Sequence, residues 1–198
     1  MSDHYYSSSP DAAHERRILE TELRGQSLTF VSDAGVFSKQ GIDYGSRVLI
    51  EAMEFPEDSE ILDVGCGYGP IGLTAARLAP AGRVTMIDIN ERAVKLAKEN
   101  AERNRIANVT ILQSDLFQAV VDRRFDIVLT NPPIRAGKET VHSIFDLAFD
   151  HLNEGGALWV VIQKKQGAPS AKAKLESLFP RVEEVTKDKG YRIFKAMK

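Results

Sequence analysis

Short apolar runs and amphipathic segments alternate along most of the chain. The apolar runs have the length and the β-branched content of strands, and they cover residues 28–31, 60–64, 83–87, 109–112, 125–129, 157–162, 182–186 and 191–196. Between most of them, apolar residues recur at helical spacing, in segments 47–55, 71–78, 91–105, 140–152 and 170–179. The pattern therefore predicts strands and helices in regular alternation.

This alternation predicts an α/β fold, because parallel neighbouring strands need crossover connections that are usually helical. We expect a doubly wound, Rossmann-like, seven-stranded and mostly parallel sheet with helices on both faces. Residues 26–198 would form one domain, and the polar residues 1–25 a tail or a lid segment. In such sheets the ligand binds beyond the carboxyl ends of the central strands, so the loops there are the places to look for chemistry.

The composition is that of a soluble domain, with 43% hydrophobic and 27% charged residues among 198. A single cysteine excludes an internal disulfide framework, and the four histidines lack metal-ligand spacing. No apolar run approaches the ~20 residues of a membrane span, and the first residues lack the order of a signal peptide. We expect a cytoplasmic protein without a metal or a membrane partner.

The charge is uneven along the chain, although the net value is only −2. Residues 151–198 carry ten basic and five acidic side chains, whereas the rest of the chain is acidic. On charge alone, solvated surface is the favoured interpretation of this basic quarter, and a docking site for a polyanion is the alternative.

A glycine-rich turn, Gly65, Gly67 and Gly69, follows the first central strand. Glycine lets the backbone bend sharply and approach a ligand closely. The dinucleotide fingerprint G-x-G-x-x-G would need glycine where Pro70 stands, and no lysine follows as in a phosphate-binding P-loop. The turn therefore favours a ligand other than a pyrophosphate.

Three acidic residues stand at the ends of three successive strands. Asp63 suits a cationic ligand group, Asp88 the two hydroxyls of a ribose, and Asp115 an adenine amino group. Ile89 and Leu116 are placed to sandwich the ring. Each acid alone could be a polar strand end or a helix cap, but together they indicate a site for a positively charged nucleoside.

The ordered set of glycines and acids resembles the class I S-adenosylmethionine-dependent methyltransferases. The resemblance implies S-adenosylmethionine as the cofactor. It implies that the cofactor is bound by Asp63, Gly65, Cys66, Gly67, Gly69, Asp88, Ile89, Asp115, Leu116 and Asn131.

The loop after the next strand is Asn131, Pro132 and Pro133. Two prolines make it rigid and leave carbonyl oxygens as acceptors without competing N–H donors. A stiff turn closed by Asn131 is the alternative. At a strand end the sequence resembles the amino-methyltransferases, which implies that Asn131, Pro132, Pro133 and Ile134 form the catalytic segment. The last position is usually aromatic in that group, so either stacking on the target comes from elsewhere, for example Phe37, or apolar packing holds the target.

With the segment 35–52 and the basic segments near 135 and 164, the chain resembles the methyltransferase small domain family over residues 25–197. Gly35, Gly41 and Gly45 mark bends, and Ser46 is the predicted cap of the next helix. The family implies a closing loop with Lys39, Gly41 and Asp43 at its rim. It implies substrate contacts from Phe37, Lys39, Arg135, Lys138, Lys164 and Lys165.

The resemblance implies methylation of an RNA base, most specifically guanine N2 in 16S rRNA, with rRNA or the small ribosomal subunit as partner. Longer family members carry an additional first domain, so a homodimer or a partly assembled particle would have to help in docking. A protein glutamine amide or a DNA adenine is the alternative substrate. A non-catalytic module that binds RNA or a partner is the alternative of another class, and an NAD-dependent dehydrogenase is the least favoured.

Overall fold

The computed structural model describes residues 13–36, 38 and 41–198. The strands are β1 (Arg17–Leu23), β2 (Gln26–Ser32), β3 (Glu60–Val64), β4 (Arg83–Asp88), β5 (Val109–Gln113), β6 (Phe125–Thr130), β7 (Leu152–Gln163), β8 (Arg181–Asp188) and β9 (Tyr191–Met197). The α-helices are α1 (Tyr44–Ala52), α2 (Pro70–Leu78), α3 (Glu91–Arg103), α4 (Lys138–His151) and α5 (Ala168–Leu178).

Seven strands form one sheet in the order β5-β4-β3-β6-β7-β9-β8. The first five of these are parallel to one another, and β9 pairs antiparallel with both β7 and β8. The order reverses direction at β3, where β4 lies on one side and β6 on the other. This confirms the predicted doubly wound, mostly parallel sheet and places the topological switch point between β3 and β6.

Successive residues of the central strands bury their side chains in opposite cores. Ile61 packs with α1, α2 and α3 on one face, whereas Leu62 packs with α4 and α5 on the other. A side-chain period of two in strands buried on both faces produces this separation. The predicted coverage by helices on both faces is therefore confirmed.

A separate antiparallel hairpin of β1 and β2 covers α3. Asn100 on α3 and Asn104 at its C-cap each hold one residue of β2 through their carboxamides. Asn100 accepts from the N–H of Val31 at 2.7 Å and donates to its carbonyl at 2.9 Å, and Asn104 does the same with Thr29 at 2.9 and 2.8 Å. Two asparagines thus replace a neighbouring strand. The sequence pattern assigned no element to 17–23, because polar residues alternate with the few apolar ones that this strand presents to the helices.

The described part of the chain contains no helix that is long and apolar enough to cross a membrane. The helix α1 begins three positions earlier than a cap at Ser46 would place it. Its N-cap is Asp43, whose carboxylate accepts from the backbone N–H of Ser46 at 2.9 Å. Ser46 lies inside the first turn instead of capping it.

Candidate cofactor and substrate site

A cavity of ≈ 270 Å³ opens at the carboxyl ends of the central strands. Its walls come from the loops after β3, β4, β5 and β6, and from the first turns of α3 and α4. Most of the lining is apolar, with a few polar groups, which is the usual character of a small-molecule site. The topology therefore brings together the loops in which the sequence predicted chemistry.

The glycine turn after β3 forms part of the wall between two cavities. Gly65 and Gly67 have φ of 73° and 57°, a left-handed conformation that glycine adopts without strain. The N–H groups of Gly65 and Cys66 donate to the carbonyl of Ile87 at 2.9 and 3.0 Å, which ties the turn to β4. Gly65 and Gly67 line the cavity, and their predicted contacts with a cofactor stay a prediction.

Asp88 at the end of β4 is half-buried and lines the cavity. Its Oδ2 accepts from the N–H of Gly67 and its Oδ1 from the N–H of Asn90, both at 2.8 Å. Burial raises the pKa of Asp88 to about 6, although these backbone donors oppose the shift. Each carboxylate oxygen has a further lone pair, so Asp88 can still accept hydroxyl groups from the cavity.

The loop after β5 presents Asp115 and Leu116 to the same cavity. Leu116 has φ of 47°, an uncommon conformation for a residue with a side chain. Ser114 holds the turn, because its hydroxyl donates to the carbonyl of Leu116 at 2.8 Å and accepts from the N–H of Ala119 at 3.0 Å. With Ile89 across the cavity, the arrangement is an apolar slot with an exposed carboxylate at its edge.

Three of the residues predicted to bind the cofactor do not line this cavity. Asp63 is fully buried on the opposite face of β3, where burial raises the pKa of its carboxyl to about 7. A Cβ on Gly72 in α2 would lie 2.8 Å from its Oδ2. Gly69 is the N-cap of α2, and Cys66 lines only the small cavity behind the glycine turn. Asp63, Cys66 and Gly69 therefore lie within or behind the glycine turn and do not face the main cavity.

Asn131, Pro132 and Pro133 line the opposite wall of the main cavity. The side-chain amide of Asn131 donates to Asp43 Oδ2 at 2.7 Å and to Ser46 Oγ at 3.0 Å. An ionised carboxylate only accepts hydrogen bonds, so the NH₂ group must face Asp43 and the amide oxygen must face away from it. Both amide hydrogens are thereby used, and Oδ1 is left as an acceptor.

Ile134, the last residue of the predicted catalytic segment, does not line the main cavity. It begins a 3-10 turn and packs against the core beneath α4 and α5. The wall is completed instead by Pro133, Ala136, Thr140 and Ile144.

A second cavity of ≈ 30 Å³ lies between the glycine turn and the first turn of α1. Asp43, Ser46 and Asn131 line it together with Gly65 and Gly67. This volume holds about one water molecule. The two cavities share the glycines and Asn131, so the carboxamide stands at the junction between them.

The predicted substrate contacts divide into three groups. Arg135 and Lys138 are exposed just after the proline pair, and Lys164 and Lys165 are exposed just after β7, at the same edge of the sheet. Phe37 and Lys39 lie outside the described residues. Among the described residues, no cluster of His, Cys, Asp and Glu could hold a metal ion, and the expectation of a metal-free reaction stays a prediction.

Several residues of the site were missed by sequence reasoning. Val36 reaches the cavity from the segment after β2, and Ser114 contributes to the wall. Neither Val36 nor Ser114 belongs to a motif that would have identified it from the sequence. Asp43 was expected only at the rim, and its spacing to Ser46, as in an N-cap followed by a polar residue, was the signal that could have identified it.

Three comparisons with known proteins bear on the site. The sequence model described as "methyltransferase small domain" matches residues 27–195. The uncharacterized protein YbxB of Bacillus subtilis is 56% identical over the whole of both chains. Ribosomal RNA small subunit methyltransferase C of Klebsiella pneumoniae is 34% identical over 68% of this chain and 40% of its own. The chain thus spans about half the length of the methyltransferase C relatives it matches.

A solved structure has the same fold. The T. thermophilus 16S rRNA N2 G1207 methyltransferase, solved in complex with AdoMet and guanosine, superimposes with a TM-score of 0.82 and 26% identity, over 92% of this chain and 50% of that one. The matched region includes the glycine turn, the acids and the proline pair. These matches confirm the resemblance found in the sequence: the chain belongs to the methyltransferase small domain family.

Proposed function

We propose that this protein is an S-adenosylmethionine-dependent N-methyltransferase that acts on the exocyclic amine of an RNA base, specifically guanine N2 in 16S rRNA. The observation that carries the proposal is the fixed orientation of Asn131. Its amide hydrogens are used by Asp43 and Ser46, so its oxygen is presented as an acceptor at the cavity. An acceptor in this position suits a substrate that arrives with N–H donors.

The residues of the main cavity fit S-adenosylmethionine. Asp88 can accept the ribose hydroxyls, and Asp115 can accept from the adenine amino group, between the apolar side chains of Ile89 and Leu116. Gly65 and Gly67 leave their backbone open to a ligand, because no Cβ occupies the turn. The bound cofactor supplies an electrophilic methyl group on a positively charged sulfur.

The exocyclic amine of a base is a poor nucleophile, because its lone pair is delocalised into the ring. Asn131 Oδ1 and the carbonyl of Pro132 can accept its two hydrogens, which orients the nitrogen and lets its lone pair turn toward the methyl group. Transfer of the methyl group to this nitrogen would leave the electron pair of the broken sulfur–carbon bond on the sulfur of the cofactor. The amine then loses a proton to solvent, so no strong base is required.

Exposed basic side chains at the mouth support RNA as the substrate. Arg135, Lys138, Lys164 and Lys165 surround the same edge of the sheet and can contact phosphates. The backbone N–H of Lys164 donates to the carbonyl of Gly190 at 2.7 Å, which brings the β8–β9 turn to that edge. Similarity to proteins named as ribosomal RNA small subunit methyltransferases supports 16S rRNA as the proposed substrate.

Labelled S-adenosylmethionine tests the proposal directly. The protein is incubated with total RNA, total protein and genomic DNA from a strain that lacks it, and labelled RNA is digested to nucleosides. We expect label in RNA as N2-methylguanosine. Label in protein would establish a glutamine amide as substrate, label in DNA an adenine, and label in none of the three would favour the non-catalytic module.

A further inference from the structure

We propose that Asp43 recognises the target base directly. One of its carboxylate oxygens positions Asn131, and the other accepts the ring N–H beside the target amine. These contacts make the site selective for guanine. The inference rests on the proposed function, because it concerns the substrate of the same site. It adds a specificity-determining role to a residue that the sequence placed only at the rim.

The two oxygens of Asp43 have different surroundings. Oδ2 accepts from the N–H of Ser46 at 2.9 Å, from its hydroxyl at 3.2 Å and from Asn131 Nδ2 at 2.7 Å. Within the described ranges, Oδ1 accepts no hydrogen bond. The side chain is half-buried and lines the small cavity beside Asn131. One oxygen is therefore committed to the protein, and the other remains for a donor from outside.

The hydrogen bond from Asn131 Nδ2 to Asp43 Oδ2 holds the two side chains next to each other. Each side chain keeps one oxygen, Oδ1, that accepts no hydrogen bond from the described residues. A ligand that satisfies both oxygens must carry two adjacent N–H groups. The carboxylate repels a ligand whose second group is an acceptor, because it has no hydrogen to donate.

Guanine alone among the candidate substrates meets this requirement. Its N2 amine stands next to N1, which carries a hydrogen. The N6 amine of adenine stands next to an N1 acceptor, the N4 amine of cytosine next to an N3 acceptor, and the amide nitrogen of glutamine next to its carbonyl oxygen. Asp43 thus favours guanine over adenine and glutamine, on the Watson–Crick edge by which an unstacked base is read.

Because Asp43 is the N-cap of α1, its side chain is held in place before the base binds. Its carboxylate is fixed by the first turn of α1, so little conformational entropy is lost when the base binds. Sites that hydrogen-bond a substrate N–H reject analogues that lack it more strongly than apolar pockets reject size differences. An unmatched acceptor facing the carboxylate would leave two buried groups unpaired.

The test uses two nucleosides with the same target amine. Guanosine has a hydrogen on N1, whereas 2-aminopurine riboside has an acceptor there. Each is titrated by calorimetry into the full chain saturated with S-adenosylhomocysteine, so that no turnover occurs. We expect the wild type to bind guanosine at least about tenfold more tightly, the equivalent of one matched hydrogen bond to a charged group.

Asp43→Asn isolates the contribution of this residue. Asparagine caps helices as well as aspartate does, and its amide can donate to the N1 acceptor of 2-aminopurine. The preference for guanosine should therefore shrink about tenfold or reverse. Affinity for S-adenosylhomocysteine and the melting temperature show that the variant is folded. Recognition of guanine O6 by another group would leave the preference unchanged in this variant.

The outcomes separate the two proposals. Equal binding of the nucleosides to the wild type, or an unchanged preference in Asp43→Asn, would overturn the role of Asp43, while methylation of guanine N2 in RNA would leave the proposed function standing. Transfer of the label to protein or DNA, with no preference for guanosine, would overturn the proposed function and this inference with it.

Discussion

The carboxamide of Asn131 donates to the carboxylate of Asp43 across a distance of 2.7 Å, although 88 residues separate them in the chain. Asp43 is at the same time the N-cap of α1. The Asn131 segment after β6 is therefore held by the start of α1, which packs on the same face of the sheet as α2 and α3. The orientation of Asn131 therefore depends on the first turn of α1. Substitutions in that turn are expected to change it.

Ser46→Ala removes one of the two acceptors of the Asn131 amide and leaves the helix cap in place. We expect kcat to fall roughly three- to tenfold, since a single hydrogen bond contributes about 1 kcal/mol. Cofactor affinity should not change. Kinetics of methyl transfer and calorimetry with S-adenosylhomocysteine measure the two effects. Ser177→Ala is the matched control, because that hydroxyl contacts only an exposed carbonyl of α5; an equal loss in both variants would contradict the account.

Asp88→Ala should weaken cofactor binding by at least about tenfold. The substitution removes the carboxylate that faces the cavity and also the acceptor of the Gly67 N–H, and hydrogen bonds to a charged group contribute about 1.5–3 kcal/mol. Calorimetric titration with S-adenosylmethionine measures the change. Asp122→Ala, at an exposed turn before β6, should bind as the wild type does. Unchanged affinity in Asp88→Ala would show that the ribose of the cofactor does not bind at this end of the cavity.

Reversal of charge at Lys164 and Lys165 should weaken RNA binding several-fold and flatten its dependence on salt, because fewer phosphate contacts release fewer counterions. Methyl transfer should fall through KM more than through kcat, since these residues lie away from Asn131. The control is the same reversal at Lys95 and Lys98, which are exposed on α3. RNA affinity equal to the wild type in filter-binding titrations at low salt would place the RNA on another surface.

The buried carboxyl of Asp63 predicts a pH dependence of stability. Its pKa rises from its ordinary value near 3.8 to about 7 on folding, chiefly because of burial and further because of the neighbouring charge of Asp88. Between these values the folded state binds more protons than the unfolded state, so the free energy of unfolding falls as the pH rises. The stabilisation is full below about pH 4 and is lost above about pH 7.

Asp63→Asn keeps the shape of the side chain but cannot ionise. Denaturant unfolding of the cofactor-free protein at pH 5 and pH 8 should show a larger loss of stability in the wild type than in the variant, by up to about 3 kcal/mol over this interval. Groups that do not interact with Asp63 contribute equally to both proteins, so the difference reports Asp63 together with its interaction with Asp88. Parallel pH profiles would show that Asp63 titrates alike in the folded and unfolded states.

The sheet and most of its helices were predictable because alternation of strand-like and helix-like segments depends on local sequence. The strand β1 was not, since its pairing depends on α3 and on the carboxamides of Asn100 and Asn104, which only the folded chain brings to the hairpin. The predicted helix cap at Ser46 was wrong for a similar reason. Ser46 and Asp43 both suit a cap, and the geometry decides between them.

Within the site, the sequence indicated which residues stand at the strand ends. It did not indicate on which face of the sheet each side chain lies. Asp88 and Asp115 line the cavity, whereas Asp63 points to the other face of β3. A residue at a strand end faces one side or the other according to the register of the strand, which sequence spacing alone does not fix. Ile134 turned inward because the adjoining core accepts an apolar side chain.

The decisive experiment for the proposed function is to measure methyl transfer to guanine N2 and its dependence on Asn131. Labelled S-adenosylmethionine is incubated with small ribosomal subunits from cells that lack the protein, with the wild type or with Asn131→Ala, and the labelled position is mapped by nuclease digestion. The account predicts label on a guanine N2 with the wild type and a rate about 10²–10³ times lower with Asn131→Ala, at similar affinity for S-adenosylhomocysteine. Equal transfer by both proteins, or tight cofactor binding without transfer to RNA, would contradict it.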